Sequence, residues 1–91
     1  MRLIFHIMAI DGKQCRAARA WLHLEMRDLA RRVGTTRATL QRFELGKNTP
    51  RAHTLDGIRR ELERCGIRFT FRSDGRPKGI EDSGEQGNGD E

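Results

Sequence analysis

The chain lacks the residue sets that most enzymes need. It has no tyrosine, no GxSxG motif, no glycine-rich phosphate loop and no close set of Asp, Glu, His or Cys at catalytic spacing. Glu25 and Asp28 do lie close together. Carboxylates early in a short helix suit the helix dipole, so we interpret both as solvated. The sequence therefore predicts that the protein is not an enzyme.

Long apolar runs are also missing. No stretch approaches the ~18 residues of a membrane span. Residues 1–10 are too short and wrongly flanked to form a secretory signal. We therefore expect a cytoplasmic protein with no membrane partner.

Cysteine and histidine are too scarce and too scattered to suggest a metal centre. Cys15 and Cys65 stand in separate half-apolar stretches, and neither a CxxC pair nor zinc-ligand spacing is present. His6, His23 and His53 are equally dispersed. We expect free buried thiols, with no metal and no cofactor.

Charge is plentiful and uneven. The 91 residues, enough for one small domain whose stability would gain from dimerisation, carry a net charge of +5. Residues 73–91 hold six acidic and two basic residues, a net −4, which leaves sixteen basic and seven acidic residues, a net +9, on residues 1–72. A body so basic predicts a polyanion such as nucleic acid as partner, and the alternative is a solvated charged surface.

The first quarter of the chain is predicted to form an arm followed by one helix. Residues 1–10 favour a β-strand or an arm, unless translation starts at Met8 and the first seven residues are an artefact. Asp11 can then cap a helix from Lys13 to Leu22, with an apolar stripe of Cys15, Ala18 and Leu22. Trp21 adjoins this stripe, and we interpret it as a half-buried packing residue.

Two short helices follow with a very short turn between them. Residues 26–33 have the buried face Leu29, Ala30 and Val33, and Gly34 permits the turn. Residues 36–45 then form a helix that buries Leu40 and Phe43, with Thr35 or Thr36 as its cap and Gly46 as its end. This order is typical of a helix-turn-helix.

The second half of the chain combines a turn, a helix, a strand and a polar tail. Residues 48–54 form a turn around Pro50, and a helix with the stripe Leu55, Ile58 and Leu62 ends at Gly66. Residues 67–72 alternate apolar and polar residues, which predicts a strand. Its partner is either residues 3–7 or the same strand of a second copy. Residues 73–91 are glycine-rich and acidic, which predicts a disordered tail.

One spaced set of residues resembles a known family. It reads Leu29-Ala30-x-x-Val33-Gly34-Thr35-Thr36-x-x-Thr39-Leu40-x-x-Phe43-Glu44-x-Gly46-Lys47, followed by Thr49-Pro50. This pattern resembles the Xre family of helix-turn-helix regulators, the phage repressor and Cro type, over about residues 13–65. The resemblance implies a mainly α, four- to five-helix lambda-repressor-like domain at 11–66, with a terminal strand at 67–72. It also implies a bacterial or phage protein in the cytoplasm, associated with the nucleoid.

The resemblance assigns roles to individual side chains. It implies that Arg37, Ala38, Arg42 and Thr36 read base edges and that Thr39, Gln41, Lys47 and Met26 stand where relatives contact phosphates. Met26 and Glu25 depart from the glutamine and the serine or asparagine that are usual there, which weakens that phosphate clamp because methionine donates no hydrogen bond. Arg19 and Glu44 match an internal salt bridge.

Two functions follow from these features. The first is a homodimeric, sequence-specific repressor that inserts the helix at 36–45 into the major groove of double-stranded DNA. The alternative is an antitoxin-type interaction module that binds a toxin and its own operator. The strand at 67–71 and the segment 1–10 offer edges that a partner chain can join.

Overall fold

In a computed structural model, which describes residues 9–84, four helices precede a two-stranded antiparallel sheet. The helices are α1 (Gly12–Leu22), α2 (Met26–Val33), α3 (Arg37–Glu44) and α4 (Ala52–Arg64), and the strands are β1 (Ile67–Phe71) and β2 (Pro77–Asp82). The mainly helical fold predicted from the sequence is confirmed. Among the described residues, no helix has the length and apolar character needed to cross a membrane.

A capping box starts α1. The Asp11 carboxylate accepts the Gln14 backbone N–H at 2.9 Å, and the Gln14 side-chain oxygen accepts the Asp11 N–H at 3.1 Å. Both bonds satisfy donors that a helix start otherwise leaves without partners. The helix ends at His23, which adopts a left-handed backbone with φ of 55° and turns the chain toward α2.

The turn between α2 and α3 is set by one glycine and one threonine. Gly34 has φ of 82°, a conformation that a residue without Cβ adopts at little cost. Thr36 accepts the Thr39 backbone N–H at 3.1 Å and so caps α3. Only three residues separate the two helices, and the predicted helix-turn-helix is confirmed.

The core lies between the helices and the inner face of the sheet. Its buried members are Ile10, Cys15, Ala18, Leu29, Ala30, Leu40, Phe43, Ile58, Leu62, Ile67 and Phe69. Helix α1 contacts α3, α4 and β2, while α3 packs against only α1 and α2 among the major contacts. One face of α3 is therefore held by the body and the other faces outward.

The first turn of α1 lies directly against the end of α3. A Cβ added to Gly12 would overlap the Phe43 carbonyl oxygen and come within 2.8 Å of the Glu44 Cα. These are backbone atoms that cannot move aside as a flexible side chain can, so the approach requires glycine. The position of α3 is thereby fixed from beneath.

The hairpin corrects two expectations about the end of the chain. Residues 77–82 form β2 and are not part of a disordered tail, and β2, rather than residues 3–7 or a second copy, pairs with β1. Ile80 lies opposite Phe69, which supplies the cross-strand apolar contact, and Arg68 pairs with Glu81 at 2.7 Å. Residues 3–7 and the end of the predicted tail, 85–91, lie outside the described residues.

One buried amide ties the hairpin to the helices. The Gln14 side chain is 3% exposed, and its Nε2 donates to the Thr70 carbonyl at 2.9 Å and to the Gly79 carbonyl at 2.8 Å. Thr70 lies on β1 and Gly79 on β2, so one side chain holds both strands against α1. With its oxygen in the capping box, all of its main hydrogen-bonding capacity is used.

Three local expectations also need correction. Trp21 is 59% exposed rather than half-buried, because α1 ends one residue later and no element within residues 9–84 covers that side of its last turn. Helix α4 begins at Ala52, inside the predicted turn, since Pro50 bars helix only up to its own position. Cys15 is buried as expected, but Cys65 is only partly buried at the end of α4, and both thiols are free.

Candidate nucleic-acid interface

Helix α3 divides into a buried and an exposed edge. Leu40, Phe43 and Glu44 are buried against the body. The exposed edge carries four side chains that the sequence assigned to DNA: Arg37, Ala38, Gln41 and Arg42. Two guanidinium groups with a small residue beside them give an outward surface of hydrogen-bond donors with little steric bulk.

The cations of this surface make no internal bonds. Within residues 9–84, the side chains of Arg37, Arg42 and Lys47 have no ion pair and no hydrogen bond. Lys47 stands three residues after the end of α3, and its backbone N–H donates to the Arg42 carbonyl at 2.8 Å. We call Arg37, Arg42 and Lys47 the open cations.

Most other arginines are neutralised by a neighbour. The ion pairs are Arg31–Asp28, Arg32–Glu61, Arg59–Glu63, Arg60–Asp56, Arg64–Glu61, Arg68–Glu81 and Arg76–Asp74, with separations from 2.6 to 3.5 Å. Most of them are on α2, α4 and the hairpin, away from the exposed edge of α3. We call these the paired arginines.

The two threonines at the start of α3 have different free groups. Thr36 Oγ1 accepts the helix-capping N–H and lies 3.0 Å from Thr39 Oγ1. When the Thr36 hydroxyl donates to Thr39, its only proton is used, and the Thr39 hydroxyl keeps its own proton for an external acceptor. Thr39 is thus the better placed of the two for a phosphate, and a base contact by Thr36 would need its lone pair.

The start of α2 forms the floor of an open cleft of about 510 Å³ lined by Arg19, Glu25, Met26, Arg27 and Arg37. The Met26 side chain packs against the core, and Glu25 makes no side-chain capping bond. The first backbone N–H groups of α2 therefore lack a cap and remain available to an anion. A phosphate contact at Met26 would use this backbone, since the thioether has no donor.

Arg27 is a cation of this cleft that the sequence analysis missed. Its guanidinium lies 3.6 Å from Glu25, and both side chains are mostly exposed, so the pair is weak. The cleft places Arg27 near the open cation Arg37. Its position in the first turn of α2 was the available signal, because that turn faces the same side as the start of α3.

A buried ion pair connects the buried edge of α3 to α1. Arg19 Nε and Nη2 donate to the two oxygens of Glu44, both at 2.7 Å, and Arg19 Nη1 donates to the Leu24 carbonyl at 3.1 Å. The Cys15 thiol donates to Glu44 Oε2 at 3.3 Å. The structure brings together the two residues that the resemblance paired, and adds a thiol that it did not include.

The ionisation of this cluster follows from its surroundings. The hydrogen bond to Glu44 raises the pKa of Arg19 above its ordinary value. Burial, followed by the Glu44 charge, raises the pKa of the Cys15 thiol far above its ordinary value. Cys15 is therefore a neutral donor at physiological pH, and Arg19 is a permanent cation.

The interface as a whole offers donors and positive charge and no nucleophile with a base. Hydrogen-bond donors aligned on an outward helix, with a second helix crossing beside its start, suit a polyanion whose surface carries acceptors. The individual base and phosphate roles of Arg37, Ala38, Arg42, Thr36, Thr39, Gln41, Lys47 and Met26 stay predictions.

Comparison with known protein families bears on the same region. Residues 16–68, more than half of the chain, match the family model HTH_3, described as Helix-turn-helix. The matched range runs from α1 to the first residues of β1 and includes both α2 and α3. No curated protein matches the chain.

Proposed function

The chain belongs to the HTH_3 helix-turn-helix family, the Xre and lambda-repressor-like group of DNA-binding regulators, and from this premise we propose that it is a homodimeric repressor. Members of this family are DNA-binding regulators and typically not enzymes. In the proposal, α3 enters the major groove of a specific operator, and the body remains outside it.

The observation that carries the proposal is the set of open cations beside a buried anchor. Arg37 and Arg42 are exposed on α3, about one turn apart, and no carboxylate of residues 9–84 occupies their guanidinium groups. A free guanidinium fork can bond guanine O6 and N7 together. Ala38 leaves room beside Arg37 for an apolar contact with a thymine methyl group.

Phosphate contacts would orient the helix in the groove. Lys47 and Gln41 are exposed, and the Thr39 hydroxyl retains a proton. At the start of α2, Arg27 supplies the cation that Met26 cannot, and the uncapped backbone N–H groups add donors. These contacts fix register and supply affinity, while the sequence is read by α3.

Dimerisation supplies the specificity that one small domain lacks. A single helix pair reads only a few base pairs, so two copies on half-sites about one helical turn apart are needed for a unique operator. Trp21 and Leu45 are the large apolar side chains that remain exposed among residues 9–84, at 59% and 56%. A protein contact that covered either side chain would remove apolar surface from water, which is favourable.

The same exposed pair keeps the antitoxin alternative open. A toxin subunit would cover apolar surface as well as a second copy does. The pairing of β1 with β2 occupies one edge of the strand that motivated this alternative, and residues 1–8 lie outside the described residues. A co-purifying small protein would favour the toxin, and tight operator binding with no partner would favour the repressor.

Selection of bound sequences from random duplex DNA tests the proposal. We expect an enriched palindrome with half-sites about one helical turn apart, and a light-scattering mass of two chains on one operator. A dimer that enriches no sequence would contradict sequence-specific binding. An enriched sequence bound by a single chain would contradict dimerisation.

A further inference from the structure

A second group of cations without partners lies away from α3. Lys13, Arg72 and Lys78 line one groove of about 280 Å³ between the first turn of α1 and the hairpin. Within residues 9–84, none of the three side chains has an ion pair or a hydrogen bond. Lys13 is on α1, Arg72 follows β1 and Lys78 is on β2, so the packing of α1 against the hairpin brings them together.

The one carboxylate that also lines this groove is already engaged. Asp11 accepts the Gln14 N–H as the cap of α1, which directs its charge toward the start of the helix. Asp74, in the hairpin turn, pairs with Arg76 and accepts its backbone N–H at 3.0 Å. Three cations against one carboxylate leave the groove with a net positive charge, and none of the three is ion-paired within residues 9–84.

The walls of the groove are held in place by the buried amide of Gln14. Its bonds to Thr70 and Gly79 fix both strands against α1, and Gly79 is the neighbour of Lys78. Like charges brought together cost stability unless something else fixes them. The hydrogen bonds of Gln14 offset this repulsion, so the three cations stay close together without a bound anion.

The groove adjoins the side of the molecule that α3 presents. A neighbouring cleft of about 420 Å³ is lined by Gly46, Asn48 and Thr49, which follow α3, and by Arg76 and Pro77 of the hairpin. Asp11 and Pro77 line both clefts. The segment that follows α3 and contains Lys47 therefore borders a cleft that shares two residues with the groove.

We propose that the groove of Lys13, Arg72 and Lys78 binds backbone phosphates of the same duplex, outside the base pairs that α3 reads. This inference rests on the proposed function, which places a duplex against α3. The contacts would be independent of sequence, and they would extend the binding site toward flanking DNA. The hairpin is then a part of the DNA-binding surface as well as a cover for the core.

Neutral variants with matched charge test the groove. The groove variant is Lys13→Gln, Arg72→Gln and Lys78→Gln, and the control is Arg31→Gln, Arg60→Gln and Arg68→Gln, which removes three cations from ion pairs. Both variants lose the same net charge, so a general electrostatic effect lowers both affinities alike. Thermal unfolding first establishes that each variant folds. If the triple groove variant does not fold, the double variant Arg72→Gln with Lys78→Gln replaces it.

Binding is measured on the selected operator alone and on the operator with ten base pairs added at each end. We expect wild type and control to bind the longer duplex more tightly than the shorter one. For the groove variant, the ratio of the two affinities should be about tenfold smaller than for wild type. The slope of log K against log salt on the longer duplex should become shallower by about 2 for the groove variant. A groove variant that keeps the full gain, or a control that loses as much, would overturn the proposal.

Scrambled duplexes of both lengths separate this proposal from the proposed function. If wild type binds operator and scrambled DNA equally, sequence-specific repression is wrong. The groove is still judged on the scrambled pair, because its contacts need no operator. On scrambled DNA, wild type should bind the longer duplex more tightly than the shorter one. Loss of this increase in affinity in the groove variant supports the proposed phosphate contacts, and an unchanged increase contradicts them.

Discussion

The arginines of α3 and those of α4 have the same chemistry and opposite surroundings. Arg37 and Arg42 on α3 have no partner within residues 9–84, whereas Arg60 and Arg64 on α4 have carboxylates at 2.9 and 2.6 Å. The difference comes from where the acids lie. Helix α3 carries one carboxylate, Glu44, which is buried and bonded to Arg19, while α4 carries Asp56, Glu61 and Glu63.

This difference supports the proposal that α3 forms the DNA-binding face more directly than net charge does. A paired arginine must give up its carboxylate before it can bind a phosphate, whereas an open one exchanges only water. The body charge of +9 that the sequence shows therefore overstates the charge that is ready for DNA. The partition also explains why basic residues on α4 need no functional role.

The largest expected effect concerns the anchor beneath the open face. Glu44→Ala leaves the partly buried Arg19 without its two hydrogen bonds to Glu44, so the free energy of unfolding should fall by about 3 to 5 kcal/mol. Urea unfolding followed by circular dichroism measures it. The control Arg19→Met with Glu44→Leu removes both charges and should recover much of the loss, and a Glu44→Ala midpoint equal to that of wild type would show that no buried pair is present.

Substitution of the open cations should have a smaller effect, and this effect should appear in DNA affinity rather than in the free energy of unfolding. Arg37→Ala and Arg42→Ala should each reduce discrimination between operator and random DNA by about 1 to 3 kcal/mol, because each removes a bidentate base contact. Lys47→Ala, as the matched control on the same face, should weaken both duplexes alike. Fluorescence anisotropy titrations measure the two affinities, and equal losses on both duplexes for the arginine variants would refute base reading.

The stability that the ion pairs of the paired arginines provide should depend on pH through Glu61. Hydrogen bonds from Arg64 and then Arg32 hold the pKa of Glu61 below its ordinary value, so the folded state favours the carboxylate. This stability is complete above the unfolded pKa of about 4.3 and is lost as the pH falls through the lower folded pKa. Glu61→Gln should thus lower stability by about 1 kcal/mol at pH 7.

A pH series of thermal midpoints checks that prediction. The difference between wild type and Glu61→Gln should shrink as the pH falls below about 4. Glu63→Gln, which removes a more exposed carboxylate from an ion pair on the same helix, is the control substitution. A difference that stays constant from pH 7 to pH 3 would rule out the network as its source.

The smallest effect is expected at Arg60. Its ion pair with Asp56 is an exposed i, i+4 contact, and such pairs contribute about 0.3 to 0.5 kcal/mol. Arg60→Ala should therefore change stability by less than about 0.5 kcal/mol and operator affinity much less than Arg42→Ala does. An affinity loss equal to that of Arg42→Ala would erase the contrast between the two helices.

Much of the fold could be predicted because its helices are determined by residues that lie close together in the sequence. The spacing of Leu29, Gly34, Leu40 and Phe43 predicted the helix pair, and Asp11 predicted the start of α1. The second strand could not be found in this way, since Ile80 stands alone in a glycine-rich acidic stretch and gains its role only opposite Phe69. Gln14 shows the same limit: its capping box was readable, but its two bonds to the hairpin join residues far apart in the chain.

The site was less predictable than the fold. Candidate residues on α3 could be named from spacing, but the sequence does not tell whether an arginine is open or paired. That depends on contacts between elements, as for Arg32 of α2 and Glu61 of α4 at 3.1 Å. Arg27 was missed for a similar reason, because its closeness to Arg37 arises from the packing of α2 against α3.

The most direct test of the account compares the salt dependence of DNA binding after two equal losses of charge. One variant carries Arg37→Gln, Arg42→Gln and Lys47→Gln, and the other carries Arg31→Gln, Arg60→Gln and Arg68→Gln. We predict that the slope of log K against log salt becomes shallower by about 2 to 3 in the first and by less than about 1 in the second. Equal changes in the two slopes would contradict the claim that the open cations form the DNA-binding face.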